Sequence, residues 1–206
     1  DKAREELEQG RADAASELAD AAAKIADAEE QLTSGKAQIT SGKKQIASAK
    51  NTLSKKESEL EQILEAGVFA PTGMGMQSPK IVVVQDKETI EELSKMNAKI
   101  MGVTSDPFYG APTVLIVLAD KNRNTYLEDG SLVMGNLMNA AASLGIGSCW
   151  IHRAKEVFAS EEGKALLKKW GVEGDYEGIG HCVLGYPAGD VPKAKPRKEN
   201  YVYHVD

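Results

Sequence analysis

Two cysteines, Cys149 and Cys182, and three histidines, His152, His181 and His204, are the side chains best suited to hold a metal or attack a substrate. Their spacing supports neither role. No C-x-x-C or H-E-x-x-H brings two ligands within one turn, so no structural zinc site is expected. Each cysteine lies in an apolar stretch (GSCWI, GHCVLGY), where reduced, buried thiols are expected rather than one disulfide. Gly145 and Gly147 open a strand rather than a helix and lack the third glycine of a dinucleotide fingerprint. Gly35, Gly42 and Lys43 imitate a phosphate loop, but the spacing is wrong and Lys44 replaces the hydroxyl that would hold magnesium. A G-x-S-x-G nucleophile elbow is also missing. What remains for chemistry is a set of glycine-rich loops.

The elements that must position those loops belong to a chain of 206 residues, 42% hydrophobic and 27% charged, as in ordinary globular proteins. The net charge of −6 argues against a nucleic-acid partner, which needs a concentrated basic face. No apolar run approaches the roughly 20 residues of a membrane span, and no signal-peptide pattern opens the sequence. A cytoplasmic location is therefore expected. The start at Asp1 reads like the middle of a helix, as in a piece of a longer protein.

Residues 1–56 hold no proline and no aromatic residue, and they repeat. Leu18, Ile25, Leu32, Ile39, Ile46, Leu53 and Leu60 recur every seven positions, as do the small residues Ala14, Ala21, Ala28, Gly35, Gly42 and Ala49. One large and one small column make a heptad seam, which predicts a long coiled-coil helix, about 54 Å from Leu18 to Leu53 at 1.5 Å per residue. Residues 1–30 carry ten acids and four bases, whereas residues 31–56 carry six bases and no acid. An antiparallel partner for residues 14–60 would set acidic half against basic half, and small seam residues let the backbones approach closely. That partner is a second copy or another helical arm. A single solvated helix, weakened at Gly35 and Gly42, is the alternative.

Composition changes near residue 57. Ser54 and Glu57 fit a capping box, so either a new helix starts there or the coil runs on. Beyond the turn-rich APTGMGMQSP, the pattern predicts strands near 80–85, 112–119, 147–151 and 180–186, with helices near 87–99, 126–144 and 160–169. This is an α+β or α/β sandwich with a central sheet flanked by helices. The helix over 126–144 is apolar on more than one stripe, with Leu132, Met134 and Met138 beside Val133, Leu137, Ala141 and Leu144. It needs covering on two sides, which suggests a dimer interface.

Four blocks, ILEAGVFAPTGMGMQSPKIVVV, PFYGAPTVLIVLAD, DGSLVMGNLMNAAASLGIGSCWIHRAKEVF and GIGHCVLGYP, together resemble the nitroreductase family, in its order and across residues 57–206. The resemblance implies FMN as cofactor and a homodimer with flavin at the subunit interface. It implies hydride transfer from NAD(P)H through flavin N5 to a nitroaromatic, quinone or similar acceptor, with no catalytic side chain. Pro71, Thr72, Gly73 and Gln77 would lie along the flavin, a reading preferred over a plain turn between helix and strand. Gly147, Trp150, Ile151, His152 and Arg153 would face the pyrimidine side, where His152 and Arg153 could stabilise reduced flavin. A surface ion pair is the alternative for those two. Lys195, Arg197 and Lys198 would grip the phosphate or else form a solvated tail. Phe108 and Tyr109 would contact the acceptor or else join the core.

The family's arginine-rich opening helix, which clamps the FMN phosphate, is replaced here by heptad sequence. Lys43, Lys44 and Lys50 are point charges that cannot copy an arginine fork. Gly75 also stands where many relatives carry asparagine. The competing reading is a coiled-coil interaction or structural protein with a degenerate flavin domain. Its helical stretch, with ADAEEQL, SGKAQI and SGKKQI units, resembles the extracytoplasmic arms of some bacterial permease-type membrane proteins.

Overall fold

A computed structural model describes residues 1–190 and 193–205 of the chain, which divides into two compact units, Asp1–Glu57 and Ser58–Asp206. The first unit is helical. Helix α1, Lys2–Val68, passes unbroken through Ser54 and Glu57, so the capping-box pattern starts no new helix there. Within the first unit the large heptad residues from Leu18 to Leu53 are all more than half exposed.

The second unit opens with the last turns of α1 and builds one antiparallel sheet. Its strands are β1 (Lys80–Val84), β2 (Thr113–Asp120), β3 (Gly147–Ile151) and β4 (Tyr176–Gly185), in the order β1-β2-β4-β3. The helices are α2 (Lys87–Met101), α3 (Tyr126–Ser143), α4 (Ala154–Ala159) and α5 (Glu161–Lys169). Strand β2 shows why the sheet is covered on both sides. Val114, Ile116 and Leu118 join a core cluster with Leu93 of α2 and Val157 of α4. The alternate residues Leu115, Val117 and Ala119 join a second cluster with Ile63 of α1 and Leu137 of α3. Successive side chains of a strand point to opposite faces, so a continuous apolar run in β2 feeds two cores. All six residues are fully buried.

Two elements depart from the sequence reading. Strand β4 begins at Tyr176 rather than near residue 180, because a bulge interrupts its pairing with β2: Val117 opposes Gly180 and Leu118 opposes Gly178, with Ile179 inserted between them. Helix α4 is short and follows β3 after a two-residue turn. In α3, Met134 is buried and Met138 packs against the α1–α3 cluster, while Leu132 stays nearly half exposed. Both cysteines are free thiols: Cys182 is buried and Cys149 is half-buried. Burial pushes the Cys182 thiol up to about 12, which keeps it protonated and unreactive.

Candidate functional site

The loop from Pro71 to Pro79 is tied to the first turn of α3 by one buried carboxylate. Asp129 accepts hydrogen bonds from the Gly73 amide at 2.8 Å, from the Ser78 hydroxyl at 3.2 Å and from the Thr125 hydroxyl at 3.2 Å. Only 3% of Asp129 is exposed, so it is part of the scaffold rather than a surface acid. Within the loop, the Thr72 hydroxyl accepts from the Gln77 amide at 2.9 Å and the Thr72 carbonyl accepts from the Gly75 amide. These contacts hold Met74, Gly75 and Gln77 at positive φ, a local strain that a plain connection would not need. Glycine at 73 is a steric requirement, because a Cβ there would collide with the Thr125 hydroxyl. Met74, at the tip, is 93% exposed.

Beside this loop lies a cavity of about 360 Å³. Leu64, Gly67, Val68 and Val133 line its apolar side, and Thr72 and Gln77 supply polar groups. A Cβ at Gly67 would press on the end of the Leu137 side chain, so glycine there allows close packing of α1 on α3. The helix carrying Gly67 is held to α3 by Asn136, whose amide donates to the Ala66 carbonyl at 2.8 Å.

The turn after β3 is built on the other layer. Arg153 takes a left-handed conformation, φ 74°, as the residue preceding α4. Asn97 of α2, fully buried, fixes it from both ends: its amide donates to the His152 carbonyl at 2.8 Å, and its Oδ1 accepts from Arg153 Nε at 3.0 Å. Arg153 is therefore held by a neutral amide rather than by a surface acid. The His152 side chain is exposed, Ile151 is buried and Trp150 is half-buried. Trp150 Nε1 is buried without a hydrogen-bond partner and lies against the bare Cα of Gly180. Gly147 begins β3 opposite Gly185 and is exposed.

Deeper in the same layer, His181 is fully buried between Phe108 and Phe158, with ring centroids at 5.1 and 5.9 Å. Burial lowers it to about 4, against a partial offset from the Ile151 carbonyl, so the imidazole is neutral. No hydrogen-bond partner meets either ring nitrogen in good geometry. Phe108 is 1% exposed and packs against His181, and it also lines a cavity of about 620 Å³ with Ile90, Ser94 and Pro112. Tyr109 is 76% exposed and held at positive φ by Asp106, whose carboxylate accepts from the Phe108 and Gly110 amides. Burial raises the Asp106 carboxyl, but the Ser94 hydroxyl and those two amides outweigh it and hold it below its ordinary value.

The expected residues thus fall into separate groups within one chain. Pro71, Thr72, Gly73 and Gln77 form one loop against α3. Gly147 and Trp150 to Arg153 follow β3 toward α2 and α4. Lys195, Arg197 and Lys198 lie exposed in the tail, on no helix or strand. Among the described residues, no cluster of His, Cys, Asp or Glu could hold a metal ion. Asp129, Thr125 and Asn97 were missed from sequence, although Asn97 interrupts the apolar stripe Ile90, Leu93 of α2 and so carries a readable signal.

Comparisons with known proteins agree with this architecture. The model of the nitroreductase family matches residues 50–104 and 98–186. A protein of Archaeoglobus fulgidus, named NADH dehydrogenase/NAD(P)H nitroreductase, is 30% identical over 137 residues, covering 64% of this chain and 74% of its own. Among solved structures, a Bacteroides fragilis nitroreductase with bound FMN superposes with a TM-score of 0.66 at 29% identity, over 72% of this chain and 87% of that one. A nitroreductase with bound FMN from Desulfitobacterium hafniense gives 0.64 at 26% identity, with the same coverage.

Proposed function

Because the chain belongs to the nitroreductase family, we propose that its second unit binds FMN and passes hydride from NAD(P)H to a nitroaromatic, quinone or similar acceptor. The observation that carries this reading is the strained Thr72–Gln77 loop, locked by buried Asp129 beside an apolar cavity. An open backbone next to an apolar wall suits a flat, polar-edged ring, and Gly73 and Gly75 let the backbone come close. For the phosphate, the matching chemistry is the cationic tail of Lys195, Arg197 and Lys198. The loop and its cavity would take the ring. The phosphate side depends on a segment outside them.

Bound FMN would supply the hydride-transfer chemistry between nicotinamide and acceptor. The chain's own residues position and polarise. Asp129 keeps the Gly73–Gln77 backbone in one conformation, so no reorganisation is needed on binding. Asn97 holds the Arg153 guanidinium through Nε, giving a fixed positive charge that would favour the anionic reduced ring. The apolar residues Leu64, Val68 and Val133 give that side of the cavity a surface suited to a flat ring. The loop and the Arg153 turn belong to opposite layers of one sheet, which favours a site completed by a second copy in a homodimer. The half-exposed Leu132 on α3 also supports that pairing.

Titrating the flavin-free full chain with FMN and following flavin fluorescence tests the binding step. Saturable quenching at one FMN per chain is expected, weaker in Arg197→Ala. Unchanged fluorescence across an excess of protein would remove the proposal.

A further inference from the structure

We infer that residues 1–57 pair with the same segment of a second copy of this chain, antiparallel, with Leu32 of one copy over Ala28 of the other. The inference stands apart from the flavin reading. It begins from an exposed face: Leu18, Ile25, Leu32, Ile39, Ile46 and Leu53 are 57–72% exposed on a single helix. Six large apolar residues in one column are too regular for a solvated surface.

The seam selects the partner's direction. The small column Ala14, Ala21, Ala28, Gly35, Gly42 and Ala49 continues toward the N-terminus as Leu7. In a parallel pair in register, like layers meet like. Gly35 would face Gly35 and Gly42 would face Gly42, leaving unfilled space beside layers where Ile25 meets Ile25. In an antiparallel pair whose facing positions add to 60, every large residue but one meets a small one. Leu18 faces Gly42, Ile25 faces Gly35, Leu32 faces Ala28, Ile39 faces Ala21 and Ile46 faces Ala14. At each end Leu53 faces Leu7. The close backbone approach permitted by glycine and alanine then becomes useful rather than a weakness.

Charge selects the same arrangement independently. The column flanking the seam reads Glu8, Ala15, Ala22, Glu29, Lys36, Lys43, Lys50, so its sign changes at the middle. Antiparallel pairing runs this column against itself, bringing Glu8 toward Lys50 of the other copy at both ends, with Glu29 beside its own counterpart at the midpoint. Parallel pairing sets ten acids against ten acids in the first half and six lysines against six in the second. The segment is thus complementary to its own reverse, which makes a second copy the fitting occupant. Residue 58 of one copy then lies level with residue 2 of the other, so the two Ser58 positions are about 84 Å apart at 1.5 Å per residue.

Mixed disulfide trapping in the full-length protein tests the register. Chains bearing Ile46→Cys are mixed with chains bearing Ala14→Cys or Ala21→Cys and oxidised briefly, with the unsubstituted chain as background for Cys149 and Cys182. The expected result is a 46–14 product at least tenfold above the 46–21 product and above Ile46→Cys linked to itself. Preferential 46–46 linkage would overturn the antiparallel arrangement, and a dominant 46–21 product would overturn the register. In parallel, sedimentation compares the unsubstituted chain with Leu32→Glu/Ile39→Glu. A smaller assembly in the double variant, no larger than the homodimer of second units and with their helix content retained, is expected; identical mass in both would overturn the pairing itself.

Discussion

Replacing Asp129 probes the link between the α3 scaffold and the loop that builds the site. Alanine removes the acceptor of three donors at once, leaving the Gly73 amide at 2.8 Å as the most serious loss because a backbone N–H cannot rotate toward another partner. A hydrogen bond to a charged group contributes about 1.5–3 kcal/mol, and the longer Ser78 and Thr125 contacts, whose hydroxyls can turn, about 0.5 kcal/mol each. Asp129→Ala should therefore destabilise the second unit by about 3 kcal/mol. Asp129→Asn keeps the volume and the oxygen facing Gly73 but turns the other acceptor into a donor, for a cost of about 1 kcal/mol. Urea unfolding followed by tryptophan fluorescence isolates this unit, since Trp150 and Trp170 are the chain's only tryptophans and both lie within it. FMN affinity measured in parallel should fall at least tenfold in Asp129→Ala and by much less in Asp129→Asn. If Asp129→Ala unfolded at the same urea concentration as the unsubstituted protein, the assignment of Asp129 as the loop's anchor would be wrong.

Three further outcomes follow from the same structure. His181 is lowered from 6.5 to about 4 by burial, so the unfolded chain binds its proton first. Stability from this group is complete above pH 6.5 and is lost as pH falls toward 4, by about 3 kcal/mol in all; His181→Leu should flatten the urea midpoint across that window. Gly178→Ala should destabilise by about 2 kcal/mol, because its Cβ would press on the Ala154 carbonyl, a backbone atom that cannot swing aside. Mass spectrometry after brief alkylation should find Cys182 unmodified until the protein is unfolded; rapid labelling in the native state would contradict its burial.

The parts of the fold that could be read from sequence are those whose signal is local. Strand β2 announces itself as an unbroken apolar run, and α2 and α3 carry clear helical stripes. The early part of β4 was hidden because Ile179 is inserted at a bulge between two glycines, which destroys the alternation that marks a strand. Helix α4 is only six residues long, too short for a periodic pattern to register. The site was harder still. Asp129 meets Gly73 across 56 positions and Asn97 meets Arg153 across the same separation, so neither contact has a local signature. An aromatic beside a glycine turn, such as Phe108, looks the same in sequence whether it faces a ligand or a core, and in the fold it packs on His181 while lining a cavity.

The activity proposed for this member of the nitroreductase family is flavin-dependent reduction by NAD(P)H. Its most direct test is an anaerobic half-reaction on the full chain loaded with FMN. The flavin absorbance should bleach on addition of NADH or NADPH and return on addition of a quinone or nitroaromatic, with one equivalent of each per bound flavin. Bound flavin that neither nicotinamide reduces would rule out the reductase activity.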